Sequence, residues 1–391
     1  MTVPAVIGVI LAAIYLWGVQ NMYFHQDDLD WFLLANRSWS GVMSYPIGDH
    51  VNYLFRFLIK MEWDTFGFVF SPYLLVSVLM HACVIWLIYL VAKISTNRSD
   101  LAALAALIFS INTNWTEVVL WISGQTISIS AIFILWAMLS IWRKKGEGVM
   151  LFLASWTSAL ALGLVGATAM TYKHLRLWTG AVLLIVVGIY LLRGGDGTSV
   201  IIGIDWMGQV VLVVGLMLVN TVLGRLMIPF DRLETIRIVV VAAVLIYVGW
   251  KYRNKLVIIW RDAWSRFLCW QIIFYYLIVS AGRAQFGVGI MRAERYAYIG
   301  LALVLLLLVR MLRNTQLGWW RWAIPVILII QTLGLYQRAS TYIERPQQLK
   351  ILVEEMRGQR EKDIEMEAYL PRFVLQDDRL KYRDLMSLIN D

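Results

Sequence analysis

Charge is the scarcest property of this chain. Of its 391 residues only 16% are Asp, Glu, Lys or Arg, while 60% are hydrophobic, a balance that leaves too little polar surface for a soluble protein of this length. Several apolar runs approach twenty residues, which excludes a soluble enzyme held by a single anchor. A β-barrel is excluded too, because its strands alternate apolar and polar positions. Cysteine is almost missing. Cys83 and Cys269 both lie inside apolar runs, so they report no redox compartment and offer no metal spacing. Neither a repeat of solenoid period nor a low-complexity stretch occurs.

The charges that remain are unevenly placed. The chain carries a net +9, which suits nucleic acid, anionic lipid headgroups or topology signals. Because the basic residues sit in short loops between apolar runs, the topology and phosphate readings are favoured and nucleic acid is not expected as a partner. The last 54 residues hold 10 Lys and Arg against 11 Asp and Glu. The excess of positive charge therefore belongs to the apolar part.

Hydropathy predicts an all-α integral membrane protein with eleven spans, at 3–19, 73–92, 101–118, 125–142, 149–168, 177–192, 207–224, 236–250, 267–281, 297–312 and 321–336. The first span has no preceding Lys or Arg and no clear small-residue cleavage site, and is read as uncleaved. Several spans are short for a bilayer core, a feature tolerated beside water-filled cavities. The basic runs Arg143-Lys144-Lys145 and Lys251 to Lys255 act as cytoplasmic stop signals. With an odd number of spans, the tail then lies outside. This divides the chain into a polytopic domain, 1–336, with a long first outer loop at 20–72, and a charged extracytoplasmic amphipathic tail, 337–391. The bilayer is the plasma or inner membrane or one like the endoplasmic reticulum.

Two segments outside the spans have helical spacing. In the first outer loop Val51, Leu54, Phe55, Leu58 and Ile59 form one apolar face, with Asn52, Arg56 and Lys60 expected to face the other way. Such a helix lies in the interface plane. In the tail Leu349, Leu352, Val353 and Met356 keep the same spacing, and a further amphipathic helix is expected over 361–375. The tail is too small and polar to fold alone, so it is expected to pack on the outer face.

Three groups of residues are candidates for chemistry. Asp27, Asp28 and Asp30 follow the first span directly; a carboxylate at the water–lipid boundary suits a general base, and equally a helix N-terminus. A basic set occupies the outer loops: Arg283, Arg292 and Arg295, with Arg225, Arg232 and Arg237, and Lys173, His174 and Arg176. One such arginine can simply snorkel to headgroups, whereas the set opposes the positive-inside rule and suits a phosphate or pyrophosphate. His81 in the second span suits an interhelical hydrogen bond, and Glu117 between Trp115 and Trp121 suits either a structural network or a sugar contact. No carboxylate or histidine spacing completes a metal site.

Four segments, read in order, resemble the polytopic lipid-phosphosugar glycosyltransferases called GT-C, and within them the protein O-mannosyltransferase-like members. They are FHQDDLDW, an acidic pair after span one; SPYLLVSVLMHACVIWLIYLVAKI, a second span with a central His; ALIFSINTNWTEVVLWISGQTISISAIFIL, similar to a FALHPxxxEAVAWISGR-type segment; and MRAERYAYIGLALVLLLL, similar to an ERYLYLP segment. The family's His-Pro is replaced by Asn112-Thr113 and its Arg-Pro by Asn52-Tyr53-Leu54. The resemblance implies an inverting, metal-independent or metal-optional transferase, with no fixed cofactor beyond an optional divalent cation. Its donor would be a polyprenyl-phosphate sugar and its acceptor a hydroxyl on a protein or glycan outside the cytoplasm. It implies Asp27 or Asp28 as the base and Arg295 beside the donor phosphate, with Glu117 near the donor. Arg292, Arg283, Lys173 and His174 fill out the expected phosphate set, and His81 supports it. A lipid flippase or transporter would show polar residues lining both sides and repeated halves. A non-catalytic subunit of a membrane assembly would need no acidic pair.

Overall fold

The computed structural model describes residues 3–44, 52–192, 221, 260–283, 294–314, 343–357 and 381–390. All regular structure among them is helical, without a strand. The predicted spans at 207–224, 236–250 and 321–336, and the tail segment 361–375, lie outside the described residues, Thr221 apart.

The helices are α1 (Val3–Asn21), α2 (Gln26–Ala35), α3 (Trp39–Ser44), α4 (Tyr53–Phe66), α5 (Phe70–Thr96) and α6 (Ser99–Ile111), followed by the short α7 (Thr116–Val119). Next come α8 (Gln125–Arg143), α9 (Glu147–Thr157), α10 (Leu162–Thr171) and α11 (Arg176–Leu192), then α12 (Ala263–Arg283) and α13 (Glu294–Met311). The tail supplies α14, residues 343–357, and α15 (Tyr382–Asn390). Among the described residues three segments are long and apolar enough to cross a membrane: Pro4–Asn21, Phe70–Thr96 and Ile122–Arg143. Ser99–Ile111 and Ala159–Thr171 are shorter apolar helices.

Two predicted spans are interrupted, each for a local reason. The third stops at Ile111 because Asn112 leaves the helical region at φ −69°, ψ 137°, and its side chain accepts the N–H of Asn114. A 3₁₀ turn at Thr113–Trp115 follows, and α7 with Glu117 is a separate element. The fifth breaks at Ser158, extended at φ −171°, ψ 163°, whose hydroxyl accepts the N–H of Leu160. Serine and asparagine side chains compete for backbone partners in this way, which makes them natural helix interrupters. After the break α10 lies close against α12. A Cβ on Gly163 would stand 3.0 Å from the Tyr275 backbone nitrogen, so the bare glycine lets the two backbones approach.

The bundle has two polar ends. At one, Arg310 of α13 clasps Asp262 just before α12 through two bonds, 3.0 Å from Nε and 2.8 Å from NH2, and also donates to the carbonyl of Ser95. Arg98 donates to the Arg313 carbonyl at 3.2 Å, and Trp142 meets Trp264 edge to face. This end joins α5, α8, α12 and α13. At the other end stand α2, α3, α4 and the 113–124 segment.

On α4 one expectation is reversed. Phe55 and Ile59 are buried as the apolar pattern requires, but Arg56 and Lys60 are buried as well, Arg56 completely. Arg56 turns inward and donates to the carbonyls of Val42 and Met43 at 3.3 and 3.4 Å. Main-chain acceptors at the end of α3 replace water around its charge. Lys60 pairs with Asp64 at 2.5 Å. The residues left outward are Phe57, Met61, Asp64 and Thr65, with Trp39 of α3 tilted against Phe57 at 5.4 Å. The outer side of α4 is therefore mixed, apolar at Phe57 and Met61 and polar in its last turn.

Candidate active site

The link from α1 to α2 is anchored by aromatic packing. Phe24, Leu29 and Phe32 are fully buried, with Phe24 edge-on to Phe32 at 4.8 Å and Phe32 against Trp63 of α4 at 5.3 Å. The apolar anchors fix the rotation of α2, and they send its first two carboxylates in different directions.

Asp28 faces inward and is fully buried. One oxygen accepts the His25 N–H at 2.7 Å, closing the N-terminus of α2, and the other accepts the Ser123 N–H at 2.8 Å. It therefore ties the 20–72 segment to the 3₁₀ turn at Ile122–Gly124. Burial pushes its pKa up to about 8, although the N–H donors of His25, Ser123 and Ile122 act in the opposite direction. With both oxygens accepting main-chain N–H groups, Asp28 staples the two segments together. Asp27 is half-buried, and its charge is felt by Arg295.

Behind Asp28 lies a carboxyl that the spacing did not reveal. Glu62 of α4 is buried, accepts from the Gln125 side chain at 3.1 Å, and has its second oxygen unbonded. The same Gln125 amide nitrogen reaches the Tyr73 carbonyl and the Ser77 hydroxyl. Burial first, and then the charge of Asp28, pushes the pKa of Glu62 to about 8. Its only sequence signal was a carboxylate on the inner flank of an amphipathic helix.

Three separate parts of the chain meet at Trp121. The His25 ring lies 4.3 Å from the indole, and the Arg295 guanidinium lies over it at 4.7 Å. Arg295 also lies 5.4 Å from the Tyr296 ring. Its own backbone N–H donates to Glu117 at 3.2 Å, so the carboxylate sits at the N-terminus of α13, where unpaired N–H groups and the helix dipole favour an anion. Gly124 permits the turn that carries Trp121: a Cβ there would fall on the Glu117 carbonyl and within 2.8 Å of the Val118 Cα. Leu349, Leu352, Val353 and Met356 of α14 are buried in the main core, and the charge of Arg345 acts on His25.

No family model, curated protein or solved structure matches this chain. The assignment of residues therefore rests on geometry. Asp27, Asp28, Glu117 and Arg295 are brought to one end of the bundle. Lys173 and His174 are not joined to them: both are exposed in a turn before α11, where His174 meets only the Tyr172 ring, at 6.1 Å. His81 sits deeper, fully buried, its Nδ1 2.7 Å from the Tyr298 hydroxyl. It holds α5 to α13 one turn below Arg295. Arg292 lies outside the described residues, as do Arg225, Arg232 and Arg237, and Arg283 is described only as the last residue of α12. Among the described residues no group of three or more His, Cys, Asp or Glu could hold a metal ion. His25 and Trp121 were not singled out from the sequence, although His25 stands two places before the acidic pair.

Proposed function

We propose that this chain is a membrane glycosyltransferase of the lipid-phosphosugar kind, with eleven spans in a GT-C-like arrangement and its site facing away from the cytoplasm. The observation that carries the reading is the Arg295 guanidinium over Trp121 at the bundle end to which Asp28 ties the acidic pair, with the charge of Asp27 acting on Arg295. A polyprenyl-phosphate sugar reaches the site laterally from the bilayer. Its phosphate lies against Arg295, whose planar fork matches phosphate oxygens in pairs.

The acceptor hydroxyl attacks the anomeric carbon from the face opposite the phosphate. Asp27 takes the hydroxyl proton as the new carbon–oxygen bond forms. The bond from the anomeric carbon to the phosphate oxygen breaks, and the electron pair leaves with the polyprenyl phosphate, where Arg295 stabilises the growing charge. Asp28 and Glu117 act as positioning residues: the first holds the turn that bears Trp121, and the second fixes the start of α13. The acceptor is a hydroxyl of a protein or glycan.

The test uses the full chain in lipid nanodiscs. Asp27→Asn and Arg295→Lys are compared with wild type for sugar transfer from a polyprenyl-phosphate sugar and for donor binding. Asp27→Asn is expected to lose transfer and keep binding, and Arg295→Lys to lose both. Transfer at the wild-type rate in both variants would overturn the reading.

A further inference from the structure

His25 is the group at this site that the mechanism leaves unused. Its ring is packed on Trp121, and among the described residues neither its Nδ1 nor the Trp121 indole N–H, both shielded from solvent, has a hydrogen-bond partner. Its backbone N–H donates to Asp28 at 2.7 Å.

The charges around the imidazole come from four elements. On its own segment stand Asp27 and Asp28. Trp121 and Glu117 belong to the 113–124 segment, Arg295 and Tyr296 to α13, and Arg345 to α14. Burial, then the charges of Arg345 and Arg295, lowers the His25 pKa to about 4. In the free protein the ring is therefore neutral at pH 7. The Arg295 guanidinium and the His25 ring lie against the same indole, and the charge of Arg345, from the other end of the sequence, also acts on the imidazole.

We propose that His25 is a phosphate-contacting residue of this site, taking up one proton from solvent as a phosphate monoester settles between Arg295 and Arg345 and giving a ring N–H to a phosphate oxygen. The inference rests on the proposed donor site and extends it to the tail, which supplies Arg345. The anion neutralises the two charges that keep the proton off the ring, so binding and protonation help each other. The sign follows: affinity rises as pH falls from the bound-state pKa of His25 to about 6, below which protonation of the dianion itself offsets the gain.

The shared chemistry is a phosphate monoester dianion, whether it belongs to a lipid or is free. Calorimetric binding of farnesyl phosphate, and separately of inorganic phosphate, to the full chain in nanodiscs is measured at pH 7.5 in buffers of different ionisation heat. This pH keeps the ligand's own second proton, with a pKa of about 6, largely dissociated. Wild type is expected to take up close to one proton per farnesyl phosphate. His25→Gln and His25→Asn should lose that uptake and bind about 10-fold or more weakly, the worth of one charge-assisted hydrogen bond. Proton uptake with inorganic phosphate alone would keep His25 in its role and remove the lipid donor. Farnesyl phosphate binding that depends on Arg295 but is indifferent to buffer and to His25 would overturn this inference and leave the donor site standing. Absence of binding by either phosphate would overturn both.

Discussion

Glu117 accepts the backbone N–H of Arg295 at 3.2 Å, across 178 positions of sequence. The contact is made to the main chain, so Glu117 sets where α13 begins while the guanidinium remains directed over Trp121. A helix N-terminus without such a partner leaves a first-turn N–H unsatisfied.

Glu117→Ala should therefore destabilise the fold by about 1 kcal/mol, the usual cost of a lost N-terminal acceptor, and slow transfer more than that loss of stability explains. Glu117→Gln keeps an acceptor oxygen and should recover most of the stability. Thermal unfolding and donor titration of the two variants check the pair. Equal melting temperatures for Ala and wild type would remove the anchoring role.

The two neighbouring aspartates should part company. Asp27→Asn is expected to reduce turnover by about 10² to 10⁴, the range of general-base catalysis, with donor affinity little changed. Asp28→Asn replaces one of two accepting oxygens with an NH₂ group facing the N–H of His25 or Ser123. It should cost about 1–3 kcal/mol of stability, the penalty for a buried donor left unpaired. Parallel unfolding and transfer measurements separate the outcomes, and a loss of activity at intact stability in Asp28→Asn would contradict the staple.

Stability should fall on the alkaline side because of Glu62 and Asp28. Both have folded pKa values raised by burial to about 8. Their contribution is complete below the unfolded carboxylate pKa of about 4, diminishes as pH rises from there, and is gone above about 8. Glu62→Gln keeps a neutral side chain at every pH, so its melting temperature should decline less between pH 5 and about 8 than that of wild type. A parallel decline in both proteins would show that Glu62 is ionised in the fold.

The tail helix should behave as part of the bundle. Leu349→Ala removes a side chain only 2% exposed, and a cost of about 2–5 kcal/mol is expected for such a core truncation. Limited proteolysis should then cut near 343–357 much faster than in wild type, with phosphate binding weakened because Arg345 leaves the site. Unchanged cleavage would mean that the buried stripe contributes little.

Much of this architecture was legible in the sequence. The runs at 3–19, 73–92 and 125–142 correspond to α1, α5 and α8, since a long apolar run has one stable answer, a helix whose backbone bonds are internal. The stripe Leu349, Leu352, Val353 and Met356 also appeared as spacing, because a 3.6-residue period is a local property. The face of α4 was not legible. Its periodicity identified Phe55 and Ile59, yet whether Arg56 points to water or into the protein depends on the Val42 and Met43 carbonyls, which a helical period cannot register.

The site divides along the same line. Asp27, Glu117 and Arg295 could be singled out by residue type and by resemblance. That Asp28 accepts the N–H groups of His25 and Ser123 follows from the rotation of α2 imposed by Phe24, Leu29 and Phe32. The meeting of His25, Trp121 and Arg295 joins segments far apart in the chain. Local sequence determined which segments are helices and which faces are apolar, because both depend on nearest neighbours along the chain. Only tertiary packing decided which polar groups are desolvated together, because that depends on which distant backbones close around them.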